Sequence, residues 1–252
     1  MKYFIFFTIV IVTISKANSQ ELVPVIQTNH SSSIQFYSIN YEKNLLLTAD
    51  EKEVILWNIN TGMQLRHIAS SCRIQGATLC SNGNEVAIVT YEYNKCAALR
   101  VFNSYTGDEI FSLNFSKKNA WGSISYATLD ELIYDKKYNR VAIRAFNELQ
   151  IINLNERKVS YQFTLESFSN KFSFTNNPYQ FIITKENNKM LSIASIDTLG
   201  KELKINTISS NAESVRLINN NEQNLFYVLD SKAVLRIINE QLEIIDSVIS
   251  DS

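Results

Sequence analysis

A short β-rich motif recurs five times along the chain, and this repeat restricts the fold more than any other feature of the sequence. Its first copy, Val54–Asn58, is followed by the turn residues Asn60, Thr61 and Gly62. The equivalent apolar positions lie 42 to 50 residues apart, at Trp57, Phe102, Ile152, Ile196 and Ile238. Repeats of this length each form one supersecondary unit that buries its apolar surface against its neighbours.

Each unit contains four short β-strand signals. In the first unit these are Ile34–Ile39, Leu45–Ala49, Val54–Ile59 and Gln64–Ile68, separated by Asn, Asp and Gly as in β-hairpins. Four antiparallel strands repeated at this spacing make one propeller blade. We therefore expect an all-β fold, a β-propeller of about five four-stranded antiparallel blades in a closed or slightly incomplete ring. The expected blades cover residues 30–68, 72–115, 124–165, 170–208 and 213–250.

The first unit resembles a WD repeat. The family places a His before the first strand, a Ser or Thr on the second, an Asp in the next turn and a Trp on the third. The matching residues here are His30, Thr48, Asp50 and Trp57, with Asn58 where the family has a second Asp. The resemblance implies that these four side chains form a hydrogen-bonded structural tetrad and have no catalytic role. Units two to five lack the His and replace the Trp.

A narrower likeness concerns the segment Gln27–Ile39 together with Thr61 and Gly62. These residues are similar to the propeller at the N-terminus of some bacterial caspase-like proteins. No peptidase domain follows in this sequence, so proteolysis is not implied. A generic propeller of the quinoprotein or lactonase type is the alternative to a WD-repeat propeller.

The N-terminus has the pattern of a secretory signal peptide. Lys2 precedes a continuous apolar run, Tyr3–Ile14, and Ala17 and Ser19 supply small residues before a cleavage point at Gln20. The run is shorter than the roughly 20 residues that a membrane span needs. We expect a signal peptide over residues 1–19, a propeller over residues 20–252, and a secreted or periplasmic (cell-envelope) protein. The alternative is an uncleaved signal that anchors the chain to a membrane.

The three cysteines, Cys72, Cys80 and Cys96, all fall within the second unit or at its start. An odd number in an exported protein leaves at least one thiol unpaired. The favoured interpretation is that all three are buried as small apolar residues. One disulfide among them is the alternative.

Catalytic and cofactor chemistry has little support in the sequence. The chain has only two histidines, His30 and His67, and it contains no GxSxG, GxGxxG or phosphate-loop motif. No cluster with metal-ligand spacing stands out. The net charge of −1 gives no basic excess for binding nucleic acid. We therefore expect no enzyme activity, no cofactor, no metal and no nucleic-acid partner.

Binding residues are expected in the loops. Trp121, in the insertion Asn114–Ser125, and Tyr91 and Tyr93, in a long hairpin, are candidates for contacting a partner. The favoured function is an exported, non-catalytic scaffold that binds an unknown protein partner as a monomer. One alternative is a lectin or enzyme with a ligand in the central channel, where apolar residues such as Phe172 and Phe174 argue against it. The other is a truncated remnant of a larger WD-repeat protein.

Overall fold

The computed structural model describes residues 30–118, 124–126, 129–145, 148–165, 171–187, 190–210, 214–220 and 225–249. These residues form five four-stranded antiparallel sheets in which each strand pairs with the next along the chain. We call the sheets blades 1 to 5. The predicted number of blades and their all-antiparallel topology are confirmed.

The strands of blades 1 and 2 follow the predicted hairpins closely. Blade 1 contains β1 (Phe36–Asn40), β2 (Leu45–Ala49), β3 (Glu53–Asn58) and β4 (Gln64–Ala69). Blade 2 contains β5 (Ile74–Cys80), β6 (Glu85–Glu92), β7 (Cys96–Asn103) and β8 (Glu109–Asn114), with a single 3₁₀ turn at Ser81–Gly83. The hairpin of β6 and β7 has two eight-residue arms.

The insertion after blade 2 contains a two-stranded sheet of β9 (Ser116–Lys118) and β10 (Ile124–Tyr126). It was predicted as a loop, because three-residue strands give almost no sequence periodicity. Trp121 lies outside the described residues, as do the signal segment 1–19 and the cleavage point.

Blades 3, 4 and 5 complete the array. Blade 3 contains β11 (Leu129–Asp135), β12 (Arg140–Ala145), β13 (Glu148–Asn153) and β14 (Lys158–Thr164). Blade 4 contains β15 (Phe172–Phe174), β16 (Gln180–Asn187), β17 (Met190–Asp197) and β18 (Glu202–Ser210). Blade 5 contains β19 (Ser214–Asn220), β20 (Leu225–Asp230), β21 (Val234–Asn239) and β22 (Ile244–Ile249). Within the described residues, no helix is long and apolar enough to span a membrane.

Asparagine occupies several of the left-handed turn positions where glycine is common in other β proteins. Asn44, Asn82, Asn94 and Asn139 have φ between 46° and 56°, in the left-handed region. Asn tolerates this conformation because its short side chain hydrogen-bonds to the local backbone. A chain with only 6 Gly can therefore still make tight hairpins.

The blades pack face to face, and the core lies between consecutive blades. Four buried clusters join blades 1 and 2, blades 2 and 3, blades 3 and 4, and blades 4 and 5. The first strands of successive blades lie side by side, β1 against β5 and β5 against β11. Each blade thus buries one face against its neighbour, as a propeller array requires.

Candidate functional site

The four residues of the predicted tetrad come together at one edge of blade 1. Thr48, on β2, receives a hydrogen bond from Trp57 Nε1 on β3 at 2.7 Å and contacts His30 Nε2 at 2.8 Å. The Nδ1 atom of His30 lies 3.5 Å from Asp50 Oδ2. The register of the hairpin explains the meeting, because Thr48 pairs with Ile55, so Trp57 lies diagonally across on the same face. The four residues that match the WD repeat in sequence are therefore in contact in the structure.

Asp50 is completely buried in the turn between β2 and β3. Burial opposes ionisation and raises the pKa, but its carboxylate accepts hydrogen bonds from the backbone of Lys52, Glu53 and Ser32 and from the Ser31 hydroxyl. The hydrogen bonds outweigh burial and lower the pKa of Asp50 to about 2. The side chain is therefore a charged anchor for the turn and for the incoming segment.

Two further residues join this edge that sequence reasoning did not select. Glu53 accepts a hydrogen bond from the Ser31 backbone at 2.7 Å, and its other oxygen lies 2.6 Å from His67 Nε2 on β4. The ligand atoms of His30, Asp50 and Glu53 all lie within 4.8 Å of one another. The pairing of β3 with β4 brings His67 here, and that register follows from a bulge after Leu56 that the sequence does not show.

Blade 5 has a counterpart of Asp50 that was also missed. Asp230 is the buried last residue of β20, accepts hydrogen bonds from the backbone of Lys232 and Val234, and pairs with Arg236. Burial raises its pKa, but the Arg236 guanidinium and the two backbone groups hold the pKa of the carboxyl below its usual range. A repeat alignment on the Asp, and not only on the Trp, would have found it.

The two candidate tyrosines of the β6–β7 hairpin have different environments. Tyr91 packs partly buried against the core between blades 2 and 3. Tyr93 is 78% exposed at the tip of the hairpin, where Asn94 makes the left-handed turn. Of the two, Tyr93 is the one whose ring is available to a partner.

The tip of the same hairpin is covalently fixed, because Cys96 pairs with Glu92 directly beside the turn. A disulfide joins Cys96, at the start of β7, to Cys72 in the β4–β5 loop, so the expectation that all three cysteines are apolar filling is wrong. Only Cys80 is a buried free thiol, and burial raises its pKa far above the usual range. Lys95 adds a hydrogen bond to the Ser71 carbonyl at 2.9 Å. The sequence could not choose among the pairings, because the approach of the loop to the hairpin is a tertiary contact.

A cavity of about 480 Å³ lies where the first strands of blades 1, 2 and 3 meet. Two contacts join polar groups of its lining: Ser38 Oγ accepts from the Leu79 backbone at 3.2 Å, and Lys136 Nζ lies 3.3 Å from Glu42 Oε1. Phe172 and Phe174, expected near the channel, are buried in the core between blades 3 and 4.

Comparison with known proteins identifies the architecture and not the activity. No protein-family model matches the chain, and no curated protein matches it either. Among solved structures, it is similar to the β-propeller domain of Cps50 (Swd1) from Myceliophteria thermophila, with a TM-score of 0.64 and 14% identity over 89% of this chain and 74% of that one.

A second similar structure is the WD40 domain of coronin from Toxoplasma gondii, with a TM-score of 0.69 and 15% identity over 88% of this chain. The chain spans 60% of the length of that coronin chain. At this level of identity the likeness concerns the fold alone. Together with the five antiparallel sheets, it shows that the chain has the fold of a WD40-like β-propeller.

Proposed function

We propose that the chain is an exported, non-catalytic scaffold that binds a protein partner as a monomer, with the β6–β7 hairpin as its main contact. The observation that carries this proposal is the exposed ring of Tyr93 on a hairpin whose tip is fixed by the Cys72–Cys96 disulfide. An aromatic side chain on a rigid support can bury a large area at small entropic cost.

The charges around the hairpin favour a protein partner of mixed polarity. Glu92 lies between Lys95, 3.1 Å away, and Lys52 of blade 1, 3.6 Å away. Arg73 pairs with Glu51 at 2.6 Å. Charges of both signs therefore lie beside Glu92, the residue before Tyr93, and the rim of a protein interface is typically polar.

The disulfide also supports export. Disulfides form and persist in secreted and periplasmic proteins and are rare where thiols are kept reduced. Cleavage of the signal between Ser19 and Gln20 would give an exported chain that starts at Gln20. N-terminal sequencing of the protein recovered from the medium or periplasm tests this, and an intact Met1 in the membrane fraction would favour the anchor.

Site-specific photocrosslinking tests the contact. A benzophenone amino acid at position 93 is compared with the same amino acid at Tyr179, which is 64% exposed on blade 4. We expect one crosslinked adduct from position 93 and none from position 179. Equal labelling from both positions, or none from position 93, contradicts the assignment.

Trp121 belongs to the same proposal as a second contact residue, although it lies outside the described residues. Trp121→Ala is expected to weaken capture of the partner found by crosslinking and to leave the melting temperature unchanged. Equal loss of both properties would mean that Trp121 only packs against the protein.

A further inference from the structure

Both histidines of the chain converge on two carboxylates at the edge of blade 1. His30 Nδ1 lies 3.5 Å from Asp50 Oδ2, and one ligand atom from each of His30, Asp50 and Glu53 lies within 4.8 Å of the other two. His67 Nε2 lies 2.6 Å from Glu53 Oε2. Imidazole nitrogen and carboxylate oxygen are the donor set that zinc binds in many proteins.

The nitrogen of His30 that faces this group is unsatisfied among the described residues. Its side chain is only 4% exposed, and 3.5 Å is too long for a good hydrogen bond to Asp50. A buried nitrogen without a partner costs stability, so such an atom calls for an explanation. A bound cation supplies one.

The opposite nitrogen of His30 is already placed as a metal-ligating histidine requires. Its Nε2 is 2.8 Å from Thr48 Oγ1, whose two lone pairs can accept from both His30 and Trp57. When Nε2 carries the proton and donates it to Thr48, Nδ1 has a free lone pair. Metal-bound histidines typically donate their second N–H in this way, which fixes the ring and its tautomer.

We propose that a divalent cation of the zinc class binds between His30 Nδ1, Asp50 Oδ2 and the Glu53 carboxylate. Bonds of about 2.0–2.1 Å in a tetrahedron place two ligand atoms about 3.4 Å apart, close to the separation of His30 and Asp50. The Ser31 hydroxyl donates the longer of the two hydrogen bonds to Asp50 Oδ2, at 3.3 Å, and gives way to the ion. Water occupies the fourth position.

His67 has a positioning role in this site. Its hydrogen bond holds one Glu53 oxygen, and the Ser31 backbone donates to the other, so the carboxylate is fixed toward His30 and Asp50. Loss of such an outer partner typically lowers metal affinity 10- to 100-fold. The ion ties residue 30 to the β2–β3 turn independently of any partner protein.

The experiment is zinc titration of the metal-stripped full chain by calorimetry, with metal content measured after dialysis. We expect one equivalent of zinc and a rise in melting temperature on the order of 5 °C at a hundredfold excess over Kd. Glu53→Gln keeps an acceptor for the Ser31 backbone but removes the charged ligand, and it abolishes binding at these concentrations. His67→Ala lowers affinity 10- to 100-fold.

Glu42→Gln, an exposed carboxylate on blade 1, is the matched control and binds zinc as the wild type does. Cobalt in place of zinc gives the visible absorption of a four-coordinate nitrogen and oxygen site. Absence of stoichiometric zinc, or zinc binding unchanged in Glu53→Gln, overturns the proposal.

Discussion

At the residue scale, blade 1 depends on one hydroxyl group. Thr48 Oγ1 contacts both Trp57 and His30, and all three side chains are largely buried. A buried donor that loses its partner costs about 1–3 kcal/mol, more than the bond itself contributes. The threonine is therefore more important than its size suggests.

The test of this role is Thr48→Val, which keeps the shape and removes the hydroxyl. We expect the free energy of unfolding to fall by about 2–4 kcal/mol, because Trp57 Nε1 and His30 Nε2 both lose their partner. Thr61→Val, in an exposed turn where the hydroxyl only accepts from Met63 N at 3.3 Å, is the control and changes stability by about 0.5 kcal/mol or less. Urea unfolding measures both, and equal effects contradict the prediction.

Asp50 makes the free energy of unfolding depend on pH in the acid range. Its pKa is lowered from 3.8 to about 2 in the folded chain, so its contribution is fully present above the unfolded value of 3.8 and is lost as the pH falls toward 2. The shift corresponds to about 2 kcal/mol. Urea unfolding between pH 5 and pH 2 should show a smaller decline in Asp50→Asn than in the wild type, whereas exposed Asp108→Asn should match the wild type.

The tetrad could be predicted because it is local: His30, Thr48, Asp50 and Trp57 lie within 28 residues in a recognisable order. Glu53 and His67 could not, since their meeting depends on the strand register of β3 and β4. A shift of one residue would move His67 to the other face of the blade. Asp230 was missed for a different reason, because an arginine replaces the histidine as its partner.

At the element scale, the β6–β7 hairpin carries the exposed candidate Tyr93 and is held by both a disulfide and a hydrogen bond from Lys95 to Ser71. Its length was predictable from apolar runs around Asn94, but its disulfide was not. Cys72 and Cys96 are separated by 24 residues, and a disulfide that closes such a loop stabilises the fold by about 3 kcal/mol in the chain-entropy account. The linkage holds the hairpin against the loop that enters blade 2.

Alkylation with mass spectrometry counts the thiols. The native protein should label at no cysteine, the denatured protein at Cys80 alone, and the denatured and reduced protein at all three. Reduction should also lower the free energy of unfolding by about 3 kcal/mol. A Cys72→Ser, Cys96→Ser double variant serves as the control, because reductant should not change its stability. Three reactive thiols without reduction would contradict the disulfide.

At the scale of the whole molecule, each blade packs face to face against the next blade along the chain. The repeat spacing predicted their number, since each apolar motif becomes the third strand of one blade. The side chains that join blades could not be read from it, because they are specific to each interface. Blades 3 and 4 are the clearest case, where Arg140 pairs with Asp135 at 2.8 Å and donates to the Pro178 carbonyl at 2.6 Å.

Arg140 provides the test of whether the array unfolds as a unit. It is 5% exposed, and its guanidinium lies 4.6 Å from the ring centre of Phe174 in blade 4. Arg140→Met leaves the buried Asp135 without its charged partner, so we expect the free energy of unfolding to fall by about 3–5 kcal/mol. Because neighbouring blades stabilise each other, urea unfolding should then separate into two steps.

The double variant Arg140→Met, Asp135→Leu removes both charges and should recover much of the loss, since apolar replacement of a buried pair is often neutral. Lys158→Met, which breaks the exposed pair with Glu156, is the control and is expected to leave the free energy of unfolding nearly unchanged. If Arg140→Met weakened the protein as little as Lys158→Met does, blades 3 and 4 would be joined by their apolar core alone. Arg140→Met could also lose much of its free energy of unfolding and still unfold in a single step with the wild-type dependence on urea. That result would mean that the other interfaces keep the five blades cooperative.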